Sequence, residues 1–165
     1  MKGGRATAAP DCSGRRFGIA VARFYPDLAD QLVDGAKRAL RECGAADEHV
    51  TCYEVPGCFE LPLACQRLVD TGHFDALVAL GVVVRGETPH FDFVAGECSR
   101  GIMDVMLLTG TPIGFGVLTT ESLAQAQERA DPNGGDKGHA AAMAAAALLG
   151  LTAALPRAGF RGNSP

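Results

Sequence analysis

The chain has 165 residues, of which 47% are hydrophobic and 21% charged, with a formal net charge of -4. That length and balance suit one globular domain with a substantial core, and the absence of any basic run or stripe speaks against nucleic-acid binding. No stretch is long and apolar enough to span a bilayer, and the first ten residues lack the apolar core of a signal peptide, so the chain reads as cytoplasmic.

Residues 1–15, rich in Gly, Ala and Arg, read as a flexible N-terminal arm. A single domain is expected over 16–155, and 156–165 form a C-terminal tail. Phe17 to Ala22 is a short apolar run suited to a central strand, stopped by Pro26, which cannot continue the pairing. Asp27 is placed to cap a helix carrying Leu28, Leu32, Val33, Ala36, Ala39 and Leu40 at helical spacing, with Gly44 as its stop. Val50 to Val55 is a second strand, ended by Pro56-Gly57. The spacing of Leu61, Ala64, Cys65 and Leu68 predicts a helix from Glu60 to Val69.

Ala76 to Val84 is a third strand, and Phe91 to Leu108 a third helix followed by Gly110. Pro112 to Leu118 is a fourth strand whose glycines permit close backbone approach. Thr120 or Ser122 caps a short helix through Arg129. After the loop from Asp131 to Asp136, an alanine-rich helix runs from about Gly138 to Leu151. Strands alternating with helices predict an α/β fold: a four-stranded parallel sheet with helices on both faces, a three-layer sandwich of flavodoxin-like topology.

None of the six cysteines (Cys12, Cys43, Cys52, Cys58, Cys65 and Cys98) pairs at CxxC spacing or has a histidine at zinc-site distance. They read as reduced thiols buried as small hydrophobes, and no metal is expected. Neither a GxxxxGK[ST] phosphate loop nor a GxGxxG dinucleotide fingerprint occurs, which argues against a nucleotide-hydrolysing or dinucleotide-binding fold.

The chemistry lies in the loops that follow the strands. In open α/β sheets ligands bind at the carboxyl ends of the strands. There the first strand supplies Phe24 and Tyr25, the second Cys58, Phe59 and Glu60, and the third Arg85 to His90. The fourth supplies Thr119, Thr120 and Glu121. Phe24 stacks on a planar ring or tucks into the core. Glu60 favours its own helix dipole or accepts hydrogen bonds from ligand hydroxyls. His90 donates and accepts a proton, or else caps its helix or faces solvent. Gly86-Glu87-Thr88, just before a helix start, offers backbone N–H groups and a hydroxyl to an anion. Arg129 and Lys137 either complete that site or are solvated charges. His49, His73 and His139 sit at element edges without converging partners and read as surface residues.

Several segments together resemble one family. Arg23-Phe24, Val55 to Glu60, Gly81 to Val94, Gly116 to Glu121, Glu128-Arg129-Ala130 and Asp136-Lys137-Gly138 are similar to 6,7-dimethyl-8-ribityllumazine synthases, in order and spacing, over about Phe17 to Leu151. The resemblance implies the penultimate step of riboflavin synthesis. In that step 5-amino-6-(D-ribitylamino)uracil condenses with 3,4-dihydroxy-2-butanone 4-phosphate, releasing phosphate and water, with no metal or organic cofactor. By the same resemblance Phe24 stacks on the pyrimidine, Glu60 holds the ribityl hydroxyls, and Cys58, Phe59 and the strand end Val82, Val83 and Val84 line the substrate pocket. Gly86, Glu87, Thr88 and Arg129 would hold the phosphate, and His90 would shuttle protons. Phe115 would come from a neighbouring subunit, with Lys137 nearby. Cys58 stands where the family commonly has Ala or Ser, and Tyr25-Pro26 where a small polar residue is frequent.

The family forms pentamers with active sites between neighbours, and some members close into 60-subunit icosahedral shells. A short loop between Arg129 and Lys137 leans towards a shell, whereas Pro10 leans the other way if it interrupts pairing of the arm. Three other readings share the features: a flavin- or pteridine-binding module without turnover, the archaeal-type riboflavin synthase of the same fold, and a structural shell protein. The presence of His90, Arg129 and Lys137, together with the string from Arg85 to His90, favours the synthase.

Overall fold

The structure is a computed structural model and describes residues 9–156. Its strands are β1 (Phe17–Ala22), β2 (Val50–Val55), β3 (Ala76–Val84) and β4 (Ile113–Thr120), and its helices α1 (Pro26–Glu42), α2 (Leu61–Asp70), α3 (His90–Thr109), α4 (Leu123–Ala130) and α5 (Lys137–Ala154). All strand pairs are parallel, in the order β2-β1-β3-β4. This is the expected four-stranded parallel sheet of a three-layer, flavodoxin-like sandwich.

Alternation along the strands divides the core in two. Ile19 and Val21 of β1, with Val78 and Leu80 of β3, face the layer of α1, α4 and α5, where they meet Leu32, Ala36, Ala126, Ala142 and Ala145. Ala20, Leu77, Ala79 and Val117 face α2 and α3, against Leu61, Cys65, Cys98 and Ile102. Side chains two apart share a face of the sheet, so a strand buried on both sides is apolar throughout rather than alternating with polar residues. Every residue of β1 is buried.

The alanines of α5 let that helix lie close to both the sheet and α1. Gly114 has no Cβ because one there would be driven into the Ala141 carbonyl, and at Gly138 one would strike the Leu32 carbonyl of α1. Cys12, Cys43, Cys58, Cys65 and Cys98 are buried free thiols, and Cys52 is half-buried. Among the described residues no helix is long and apolar enough to cross a membrane.

Several boundaries differ from the sequence expectations. Pro26 opens α1 rather than merely ending β1, because its fixed φ and missing N–H suit the first helical position. Asp27 is therefore inside the first turn and caps nothing; Tyr25 precedes the helix without a side-chain cap bond. Glu60 belongs to a 3₁₀ turn, Cys58–Glu60, that leads into α2. Of the two candidate caps for α4, Ser122 is the cap, accepting from the Gln125 N–H, while Thr120 is buried and its hydroxyl donates to the Ser122 carbonyl.

Residues 1–8 of the expected arm and 157–165 of the expected tail lie outside the described residues. Further along the arm segment Cys12 is buried, and its N–H donates to the Cys43 carbonyl at 2.7 Å.

Candidate active site

The chain runs from β1 outward to β2, then returns past β1 to β3. Neighbouring connections therefore leave the sheet in opposite directions between β1 and β3, and a crevice opens at their carboxyl ends, where ligands bind in such sheets. A cavity of about 560 Å³ lies there. It is lined by Phe24 and Tyr25 after β1, Gly57 to Glu60 after β2, and Val82, Val83, Val84, Gly86, Thr88 and His90 at and beyond the end of β3. Phe91, Phe93 and Val94 of α3 complete it.

The cavity's surface is chiefly aromatic and aliphatic. Phe24 is 71% exposed and meets Tyr25 edge-on at 5.1 Å, so its ring stands at the mouth and is not tucked into the core. The cation beside it, Arg23, is engaged elsewhere, on Asp30 at 2.6 Å and Glu54 at 3.5 Å. Phe59 and Phe93 are likewise exposed. An open pocket with three unpacked aromatic rings suits a flat heterocycle, which would bury those faces.

The polar groups are few. Glu60 precedes α2 without bonding its N–H groups, so helix capping does not account for the carboxylate. Gly86 and Thr88 line the cavity, whereas Glu87 between them does not. His90 is the first residue of α3, exposed, and its N–H lies 3.4 Å from the Thr88 hydroxyl oxygen. Among the described residues its imidazole has no hydrogen-bond partner and caps no helix. The start of α3 adds the partial positive charge of a helix N-terminus to the loop.

Cys58 is buried in the cavity floor, and a Cβ on Gly81 would come within 2.5 Å of its sulfur. Burial, first of all, pushes this thiol up to about 12. A neutral thiol at neutral pH is a poor nucleophile, so Cys58 fills space against Gly81.

Besides Glu87, three of the expected residues do not join this cavity. Phe115, Arg129 and Lys137 line a second concavity of about 320 Å³ between β4 and α5. Phe115 projects from β4, half-exposed, at the edge of the sheet. Arg129 lies in the last turn of α4 and among the described residues makes only long contacts, 3.4 Å to the Gln125 carbonyl and 3.8 Å to Glu128. Lys137 begins α5, immediately after Asp136, a non-glycine residue at φ 42. Asp tolerates the left-handed region better than most residues, and here its carboxylate is held by Arg38 of α1. Two cations beside a helix N-terminus form an anion-attracting surface. One chain thus carries two separate concavities.

Sequence reasoning overlooked Phe93 and Val94 as pocket residues. The signal was present: they follow His90 at three and four positions, the spacing that puts side chains on one helical face.

A parallel α/β sandwich whose crevice combines exposed aromatic rings, an unpaired imidazole and an anion-directed loop defines a small-molecule enzyme rather than a structural module. Comparison with known proteins narrows the class. Residues 14–153 match the 6,7-dimethyl-8-ribityllumazine synthase family, and the chain belongs to it. The chain is 49% identical over 138 residues to the 6,7-dimethyl-8-ribityllumazine synthase of Desulfatibacillum aliphaticivorans, an alignment covering 84% of this chain and 89% of the relative. The enzyme of that name from Syntrophus aciditrophicus is 48% identical over 84% of this chain and 90% of its own length. The one from Halorhodospira halophila is 46% identical over 82% and 87%.

Proposed function

We propose that this chain condenses 5-amino-6-(D-ribitylamino)uracil with 3,4-dihydroxy-2-butanone 4-phosphate to give 6,7-dimethyl-8-ribityllumazine, releasing phosphate and water. The observation that carries the reading is the crevice between β1 and β3. Its exposed Phe24, unbonded Glu60 and unpaired His90 surround a volume of about 560 Å³ in a chain of this family. Phe24 stacks on the pyrimidine, Glu60 accepts from ribityl hydroxyls, and Cys58, Phe59 and Val82 to Val84 shape the wall beside the ring.

The chemistry asks little of the protein beyond placement. The 5-amino group of the pyrimidine brings its own nucleophile and attacks the ketone carbonyl; loss of water leaves an imine. Removal of a proton then drives out the phosphate, and the ribityl-bearing nitrogen closes the second ring with loss of water. Holding two substrates in reacting geometry supplies much of the acceleration. His90, with a free imidazole beside the loop, carries protons between these steps. The Gly86–Thr88 backbone and a cationic surface hold the phosphate before and after it leaves.

That cationic surface, Arg129 with Lys137, lines the β4–α5 concavity, as does Phe115. We infer a cytoplasmic homopentamer in which the β4–α5 concavity of one subunit closes the crevice of the next, each subunit serving two sites; pentamers can in turn close into a 60-subunit shell. The exposed Met103, Leu107 and Leu108 of α3 support burial against other copies.

The decisive experiment mixes both substrates with the protein and follows the absorbance and fluorescence of the lumazine. A rate above that of the spontaneous reaction is expected. Binding of the product without any acceleration would instead establish a non-catalytic binding module.

A further inference from the structure

We propose that Arg85 is a positioning residue for this reaction: its guanidinium staples the two ends of the loop that carries Gly86 to Thr88 and His90. The inference rests on the reading of that loop as the phosphate cradle. In sequence Arg85 is the cation next to the cradle and invites assignment as a phosphate ligand. Its surroundings assign it elsewhere. It does not line the crevice.

Its Nε donates to Glu121 at 2.8 Å, and its Nη1 and Nη2 reach the two oxygens of Asp92 at 3.3 and 3.2 Å. The guanidinium carbon lies 4.2 Å from the centroid of the Phe91 ring. The backbone is tied as well, the Arg85 N–H donating to the Thr120 carbonyl at 2.9 Å. Two carboxylates and a ring face have thus used the cation before a substrate arrives.

The placement of these partners gives the contact its purpose. Phe91 and Asp92 are the two residues after His90, in the first turn of α3, and Glu121 follows the end of β4. Between Arg85 and His90 run only Gly86, Glu87, Thr88 and Pro89, and a Cβ on Gly86 would meet nothing within 4 Å. Residues 86–90 are all exposed, so packing within the chain does little to hold the loop. Single exposed ion pairs stabilise little. A planar fork bonded to two elements and stacked on a third side chain instead fixes direction, which an ammonium cannot reproduce. Through Asp92 it sets where α3 begins and so the reach of the His90 imidazole. Through Glu121 it ties that start to the head of α4.

The test compares wild type, Arg85→Ala and Arg85→Lys in steady-state kinetics with each substrate varied, alongside thermal melting and calorimetric titration with inorganic phosphate. Arg85→Ala should lower kcat roughly tenfold and raise KM for the sugar phosphate a few-fold, with KM for the pyrimidine and the melting temperature near wild type. Arg85→Lys should recover only a minor part of kcat, although it restores the charge. Unchanged kcat in Arg85→Ala, or full recovery with Lys, would overturn the staple. A larger rise in sugar-phosphate KM than Arg129→Ala produces would overturn it too, in favour of a direct phosphate ligand.

Should Arg85→Ala fail to fold, Asp92→Asn and Glu121→Gln each remove one prong at constant size, and a kcat unaffected by both rejects the proposal. If the wild type itself gives no rate above the spontaneous reaction, the catalytic reading falls. The staple is then judged by phosphate affinity alone, which Arg85→Ala must weaken.

Discussion

His90 lines the crevice and Arg129 the β4–α5 concavity, and the parts proposed for them differ, so their removal should leave different kinetic marks. On the proposed reading His90 carries protons in steps between bound species. His90→Ala should lower kcat by roughly 10- to 100-fold while both KM values stay within a few-fold of wild type, because acid–base help acts on the barrier and not on ground-state binding. With Arg129 proposed to hold the phosphate, Arg129→Ala should chiefly raise KM for the sugar phosphate, by about tenfold, in the same assay. Equal losses in the two variants would contradict the division. At this scale the sequence was most readable where the chemistry is contiguous: Arg85 to His90 is one strand end and one loop, and residue types suffice to mark it. It was least readable for Arg85 itself, because Asp92 and Glu121 become its partners only when α3 and β4 are laid beside β3.

Helix α5 can approach α1 and β4 closely only because of particular small residues. Gly138→Ala would push a methyl group into the Leu32 carbonyl of α1, a backbone atom that no side-chain rotation can move aside. The expected cost is about 1–3 kcal/mol, read as a lower urea midpoint, and a midpoint equal to wild type would show that the helices have room to part. Lys137 precedes this glycine, so the same change should also disturb the cationic half-site.

The layer of α2 and α3 carries a pH signature. Burial pushes the Cys58, Cys65 and Cys98 thiols from an ordinary 9.0 to about 12. The unfolded chain gives up these protons first. Stability is therefore level below pH 9.0 and falls as pH rises from there through about 12. Urea midpoints taken from about pH 8 to 11 should show the decline, and Cys65→Ala should lessen it without abolishing it, because Cys58 and Cys98 remain; a slope indifferent to that change would place the loss elsewhere. Elements were legible because their periods are strong. Their exact starts were not, since Pro26 suits both the end of a strand and the first turn of a helix.

At the scale of the whole molecule, one subunit holds a crevice with His90 and, on another face, a concavity with Phe115, Arg129 and Lys137. Adjacent subunits that share sites predict complementation. His90→Ala and Arg129→Ala chains, each weak alone, should regain activity when co-assembled at equal amounts. Roughly a quarter of the sites would then pair an intact crevice with an intact concavity. Activity that never exceeds the mean of the two parents would mean that each site is built from one chain. Light scattering on the same material separates a pentamer from a closed shell.

The sequence by itself determined the parallel α/β sandwich, since apolar strands alternating with amphipathic helices have few other ways to bury both faces of a sheet. It also determined the family, because the matching residue types are grouped in short segments whose order survives in the chain. Tertiary structure alone decided how those segments divide. Strand order placed the first three loops around one crevice, while Arg129 and Lys137, expected at the same phosphate, went with α4 and α5 to the edge beside β4. Spacing along a chain carries no record of which side of a sheet a crossover covers. That choice is made by packing, here by the alanines and glycines that hold α5 against α1 and β4.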